Sequence, residues 1–451
     1  MENLPVELTC IENIEPDAYL QPIGKGFRPS FHALWHLKAL GVVDDLTNFP
    51  GPWAKPKSGT EARVVVIDTP VAYDHPNLVC AIDLARMRDF SIHDDGVFVV
   101  PTEAGPIKDE RDKLVKDLSG WDGSPSAKQA IEKETAGKDD RPYCIPRYFG
   151  AHGTAIAGLI GARPAKVDLQ KPAFIGDPDM PVDPSVARPI TLPYAGINPF
   201  CTIIPITTSA SPDPDMVLAA LQYAQLIKPD IVVIAAAWEN RRHRKENWNK
   251  VDRALLELCK GSVVLCAAGN SGDIDLAYPA CLSTEENGPI AVTACDSKGT
   301  VLAYAPNPTA NDRVLRTLSS FAEAYSDNGV IWDPWKVADP MIVQPSEDPT
   351  MKGKIADLPA EALISLDVPG PYGYNPSPYR YRPTGNKPHF DIGSLYCRFS
   401  GTSASTALAA GLIGLAIQER RNVGLFADME PGKLKPTKNL LTHSEVKKLF
   451  K

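Results

Sequence analysis

Arg63-Val64-Val65-Val66-Ile67-Asp68 is a β-branched run that closes on a carboxylate. A run that is apolar on both sides suits a strand buried inside a parallel sheet; a half-exposed strand would alternate. Three further runs share the pattern, Thr202–Ile206, Ile231–Ala236 and Ser262–Cys266, and Ile290–Ala294 makes a fifth. Between them the spacing predicts helices over Asp215–Ile227, with Met216, Val217, Ala220, Leu221 and Ala224 on one side, and over Val251–Leu258, with Val251, Leu255 and Leu258. This alternation of strand and helix predicts a doubly wound α/β fold, a mostly parallel sheet with helices on both faces. Sites in such sheets form beyond the carboxyl ends of the strands, which draws attention to Asp68 and Asn270 by position alone.

Composition narrows what the fold can serve. With 451 residues, 43% of them hydrophobic and 23% charged, the chain is globular and can bury a large core. A formal charge of −8 is the wrong sign for a protein that grips a phosphate backbone, so no nucleic-acid partner is expected. The opening MENLPVELTCIENIEPDAYL is acidic where a signal peptide needs a basic start, and no stretch approaches about 18 uninterrupted apolar residues, so no membrane partner is expected. Nine cysteines without a CxxC pair predict free thiols and, with the absent signal peptide, a cytoplasmic location.

Long surface insertions interrupt the alternation. Residues 101–142 mix Lys, Asp, Glu and Gly around a helix expected at Pro125–Glu134, and residues 305–365 are rich in Pro, Asp and Ser. A helix is also expected at Ser30–Leu40 within an N-terminal extension, residues 1–58, that does not read as a clear prodomain, and another at Thr442–Phe450.

Four motifs carry candidate chemistry. Val66-Ile67-Asp68-Thr69 puts a carboxylate at a strand end, and Ala151-His152-Gly153-Thr154 puts an imidazole at the start of a Gly/Ala-rich helix. Ala267-Ala268-Gly269-Asn270 sets an amide just past another strand, and Phe399-Ser400-Gly401-Thr402-Ser403 sets a hydroxyl at a helix start, where developing negative charge is favoured. Taken singly, each has an ordinary use as a cap, a turn or a packed core residue.

Together, in the order Asp, His, Asn, Ser, the four motifs resemble the subtilisin-like serine proteases (subtilases, peptidase S8) over roughly residues 60–450. Asp74-His75-Pro76-Asn77-Leu78, Ala195-Gly196-Ile197-Asn198-Pro199 and Leu366-Asp367-Val368-Pro369-Gly370 resemble the family's connecting segments. The resemblance implies a subtilisin-like catalytic domain over residues 59–451. It implies a serine endopeptidase in which Asp68, His152 and Ser403 form a triad and Asn270 donates to the oxyanion. It further implies that Ala235, Ala236, Ala237 and Gly269 line a cleft for a protein or peptide substrate in extended conformation. Family members often bind structural calcium, but no Asp-x-Asp-x-Asp-Gly loop occurs here, so no ligands are assigned and no cofactor is expected.

The chain departs from the family pattern at Pro70, at Ala235-Ala236-Ala237 and at Ser405-Thr406-Ala407. Those departures leave two alternatives beside the protease, a catalytically silent peptide-binding scaffold or sensor, and peptide transfer or cyclisation by the same triad. A protease active inside a cell needs restraint, so gating by an insertion or by a regulatory protein partner is expected. His32 and His36 have a metal-like spacing, but Ala33 stands where a zinc hydrolase needs glutamate, so no metal is expected there. Arg241–Lys245 is expected to be a solvated basic loop.

Overall fold

The computed structural model describes residues 7–10, 34–43, 59–73, 75–90, 150–169, 188–192, 194–208, 212, 214–238, 245–272, 275–284, 288–306, 314–320, 363–368, 374, 395–427 and 446. In chain order the strands are β1 (Glu7–Cys10), β2 (Arg63–Asp68), β3 (Arg88–Asp89), β4 (Ala165–Leu169), β5 (Arg188–Leu192), β6 (Thr202–Thr207), β7 (Ile231–Ile234), β8 (Val263–Ala267), β9 (Ile290–Cys295), β10 (Val314–Leu318), β11 (Ile364–Leu366) and β12 (Tyr396–Arg398). The helices are α1 (Trp35–Ala39), α2 (Gly150–Gly161), α3 (Pro214–Ile227), α4 (Lys245–Gly261) and α5 (Gly401–Ala427).

Seven strands form one sheet in the order β10-β9-β8-β7-β2-β6-β3, every neighbouring pair parallel. The chain leaves β2 for the β3 and β6 side and returns to build β7, β8, β9 and β10 on the other, so the winding reverses around β2. Such a reversal opens a crevice at the carboxyl ends of the strands, where a ligand can enter.

Pleating explains why the strands are apolar throughout. Val64, Val66, Ile203, Ile231, Val233, Val263 and Leu265 share one core with Ile156 and Leu159 of α2 and Leu408 and Ile413 of α5. The alternate residues Val65, Ile67, Ile204, Ile206, Val232, Ile234 and Val264 face Val217 and Leu221 of α3 and Val251 and Leu255 of α4. Each strand feeds two cores, so neither of its faces can be polar. The far end of α5 is pinned to the sheet: Gln418 accepts from Ala62 N (3.1 Å) and Asn198 Nδ2 (2.8 Å), and Arg421 pairs with Asp230. Gly401–Asn422 is long and apolar enough to cross a membrane, yet 89% of its apolar window is buried, so it is a core helix.

Several elements differ from expectation. Val314–Leu318, inside the supposed insertion at 305–365, is a sheet strand paired in register with Ala291–Cys295, and Leu315 and Leu318 enter the core. Helix α4 begins at Lys245, six residues before its expected start. The helix expected at Ser30–Leu40 is described only as Trp35–Ala39. The helices at Pro125–Glu134 and Thr442–Phe450 lie outside the described residues, apart from Val446. Cys80 is disulfide-bonded, whereas Cys201, Cys266, Cys295 and Cys397 are buried thiols. Cysteine spacing alone cannot show pairing, which is why Cys80 departs from the free thiols expected.

The N-terminal extension is built into the fold. Leu34, Leu37, Val42 and Val43 lie in the same core as α2 and α5, each at most 2% exposed. Nearer the start of the chain, β1 adds to the edge of β4 in antiparallel register, Glu7 opposite Asp168 and Cys10 opposite Ala165.

Candidate active site

Asp68 ends β2, at the middle of the sheet, and His152 opens α2 directly above it. The imidazole Nδ1–H donates to Asp68 Oδ1 at 2.7 Å, and the same oxygen accepts from Thr69 N (2.7 Å) and Thr69 Oγ1 (3.2 Å). Asp68 Oδ2 is buried without a partner among the described residues, and Pro70, two positions on, has no N–H to offer it.

The approach of α2 to the end of β2 depends on one missing side chain. A Cβ on Gly153 would stand 2.1 Å from Thr69 O and 2.9 Å from Pro70 O, both backbone atoms with nowhere to go. The two segments are also laced together, Gly153 N donating to Thr69 Oγ1 (3.0 Å) and Ala72 N to Thr154 Oγ1 (2.9 Å). Gly153→Ala is therefore expected to destabilise the protein by roughly 1–3 kcal/mol through overpacking. The same change is expected to cost about 10²-fold in turnover, because it moves His152 bodily off Asp68. A thermal melt and a steady-state assay check the two effects.

Burial lowers the proton affinity of His152, but the charge of Asp68 and the hydrogen bond to it outweigh that loss and raise its pKa above 6.5. A quarter of the side chain remains open to solvent. Two consequences of opposite sign follow. Stability contributed by the pair is present below the unfolded value and is lost as pH rises through the raised one. The unprotonated Nε2 that a general base requires appears over that same rise, so kcat/KM is expected to climb with pH through a midpoint above 6.5. Asp68→Asn is expected to move that midpoint down, which a pH–rate profile reads directly.

Ser403 lies in the first turn of α5 and is 7% exposed. Its hydroxyl donates to the carbonyl of Ala235 (2.8 Å), the residue just past β7. Asn270, exposed just beyond β8, is oriented by the same helix start. Its Oδ1 accepts from Thr402 N (2.9 Å), which fixes the amide so that Nδ2 lies over Gly401. Gly401 has φ +83° and a Cβ there would press on Nδ2 at 3.0 Å, so both backbone and space demand glycine. Thr402 Oγ1 also accepts from Gly269 N (3.1 Å), tying the loop after β8 to α5. Adjacent strands β8, β7 and β2 thus deliver Asn270, Ala235 and Asp68 to one edge, and α2 and α5 bring His152 and Ser403 over it.

Of the cleft residues, Ala235 is buried, Ala236 half-buried and Ala237 exposed, and Gly269 stands half-buried across from them. Trp238 N donates to Tyr278 O (2.9 Å), and the Trp238 ring stacks on Trp248 with centroids 6.3 Å apart. This aromatic block anchors the chain at Trp238, just past the cleft residues. Two residues of the serine motif, Thr402 and Phe399, contribute in ways that the motif itself does not assign. Thr402 sits beside the serine and could be suspected from its hydroxyl, whereas the contact of Phe399 with the His152 ring, centroids 5.3 Å apart, exists only in three dimensions.

Among the described residues no group of three or more His, Cys, Asp or Glu side chains stands where it could hold a metal ion. The buried thiols are poor rivals to the serine, since burial pushes Cys201 up to about 12 and Cys266 and Cys397 well above the ordinary thiol value.

No curated protein matches the chain in sequence. Among solved structures it is similar to the nisin leader peptidase of Lactococcus lactis, at 13% identity and TM-score 0.46, over 92% of this chain and 93% of that one. A likeness to the epidermin leader peptide processing serine protease of Staphylococcus aureus has 13% identity and TM-score 0.47, over 98% and 84% of the two chains. A cold adapted subtilisin-like serine proteinase is similar at 12% identity and TM-score 0.41, over 96% and 89%. The assignment rests on the sequence family instead, because residues 59–449 match the subtilase family model. The chain belongs to the subtilase family of serine-type peptidases.

Proposed function

We propose that this chain is a serine endopeptidase working through Asp68, His152 and Ser403, with Asn270 as an oxyanion donor. The observation that supports this most is the 2.7 Å bond from His152 Nδ1 to Asp68 Oδ1, because it fixes the tautomer. With the proton on Nδ1, Nε2 is left as the base. An extended peptide enters along Ala235–Ala237. The Ser403 hydroxyl turns from the Ala235 carbonyl to Nε2 and gives up its proton as Oγ bonds to the scissile carbonyl carbon. The oxyanion that forms accepts from Asn270 Nδ2 and from Ser403 N, one of the first N–H groups of α5, which have no acceptor within the helix. Collapse breaks the C–N bond, and the amine leaves with the proton held by His152. Water, deprotonated by the same ring, then frees the acyl group.

Asn270→Ala is expected to lower kcat about 10²–10³-fold with KM little changed, since the donor acts on charge present only in the transition state. Treatment with a fluorophosphonate followed by intact mass tests the whole assignment. One adduct on wild type and none on Ser403→Ala is the expected result. Folded protein that stays unlabelled both as wild type and after removal of the restraining segments named below overturns it and favours the peptide-binding scaffold.

Restraint of the active enzyme by residues 101–142, or by residues 321–362 beyond β10, is part of the same proposal. Deleting either segment is expected to raise turnover of an unfolded protein substrate. Unchanged turnover in both deletions removes the gate.

A further inference from the structure

We propose that Phe399 is a positioning residue for His152, an aromatic stop that holds the imidazole at the distance from Ser403 that proton transfer needs. The proposal rests on the triad assignment above. Asp68 holds Nδ1 of the ring, and one hydrogen bond fixes a point but leaves the ring free to swing about it. Phe399 supplies the second contact, its ring meeting the imidazole in a T-shaped arrangement with centroids 5.3 Å apart and planes at 71°. Aromatic pairs favour this geometry, so the contact attracts as well as blocks.

Phe399 is itself held from three sides. It is 3% exposed within the main core, its N–H donates to Leu363 O (2.9 Å), and its ring packs against Tyr374 with centroids 6.1 Å apart. Tyr374 is fixed in turn, its N–H donating to buried Asp367 Oδ1 (3.0 Å) while its ring packs with Ala72, Ala151 and Val368. Ala151 is the residue before His152, so this small cluster grips both the backbone and the ring of the base.

The chain position of Phe399 makes the stop useful. It precedes Ser403 by four residues, on the segment that runs from β12 into α5, so nucleophile and stop move as one piece. Any shift of α5 relative to α2 carries Phe399 along and pushes the imidazole with it, keeping base and nucleophile in step. His152 is thereby referenced to β2 through Asp68 and to α5 through Phe399.

The test compares Phe399→Ala, Phe399→Leu and Phe399→Tyr in the full chain, with Leu221→Ala as a stability control, since Leu221 is fully buried on the opposite face of the sheet. Phe399→Ala is expected to lower kcat and the fluorophosphonate labelling rate together by about 10–100-fold, with KM within about 3-fold of wild type. Phe399→Tyr keeps the ring and is expected to restore both rates, with Phe399→Leu between. Leu221→Ala is expected to lower the melting temperature while leaving both rates alone. A folded Phe399→Ala labelled at the wild-type rate overturns the proposal. If Phe399→Ala does not fold, a wild-type labelling rate in Phe399→Leu overturns it instead. Failure to label in both wild type and the segment deletions overturns the triad, and the role of Phe399 with it.

Discussion

Ser403→Ala is expected to lose turnover on the order of 10⁶-fold, the size found when the nucleophile is removed from a triad of this family, and to keep its fold. The fold survives because the change removes one hydroxyl and its hydrogen bond to Ala235 O, and leaves the apolar packing of α5 untouched. The rate does not survive because the nearest described hydroxyl and the buried thiols are poor substitutes. The thiols of Cys201, Cys266 and Cys397 are buried and held protonated, and Thr402 spends its hydroxyl on Gly269 and Asn270. Residual activity, from the oxyanion donors and substrate binding alone, is expected to remain above that of water. A variant that kept even a hundredth of wild-type turnover would assign the chemistry to another group. Substrate affinity, measured with a peptide by fluorescence anisotropy, is expected to be unchanged, since the cleft backbone at Ala235–Ala237 is untouched.

A chain that starts at residue 59 is expected to show no cooperative thermal transition, whereas one that starts at residue 30 melts as a folded protein. Leu34, Leu37, Val42 and Val43 are buried in the main core, and each such side chain contributes about 1.5–3 kcal/mol when buried. Their joint loss is about 6–12 kcal/mol, against a total stability of about 5–15 kcal/mol for an ordinary protein. The start at residue 30 gives up β1, a four-residue edge strand, and is expected to lower the melting temperature by only a few degrees. Circular dichroism melts of the two chains decide the matter. A folded, labelling-competent chain from residue 59 would show that residues 34–43 are dispensable.

The parts legible in sequence were those with one dominant local signal. Strands β2, β6, β7, β8 and β9 are recognisable because both faces are buried, which leaves no room for polar residues, and α3 because its apolar residues recur at helical spacing. Asp68, His152, Asn270 and Ser403 stand out by residue type at strand and helix ends, and the fold brings those ends to one edge of the sheet. Strand β10 is hidden by Arg316, exposed at the sheet edge, and by the Pro-rich and Asp-rich segments around it. The first turns of α4 are hidden by Lys245, Glu246, Asn247 and Asn249, poor markers of an apolar face, although Trp248 among them is buried. The contact of Phe399 with His152 and the placement of residues 34–43 depend on tertiary packing between segments far apart in sequence, which no window of sequence contains.

The core that encloses Leu34 also encloses Val446. A nucleus of that kind cannot close while the ribosome is still adding residues between them, and contacts so distant along the chain make for slow folding. Asp68 and His152 emerge early in synthesis and wait, without the helix that carries their serine, until α5 has left the exit tunnel. On the proposed triad, the nascent polypeptide therefore carries no complete site until its last core helix is made. The delay between translation and a first cut would then be set by topology.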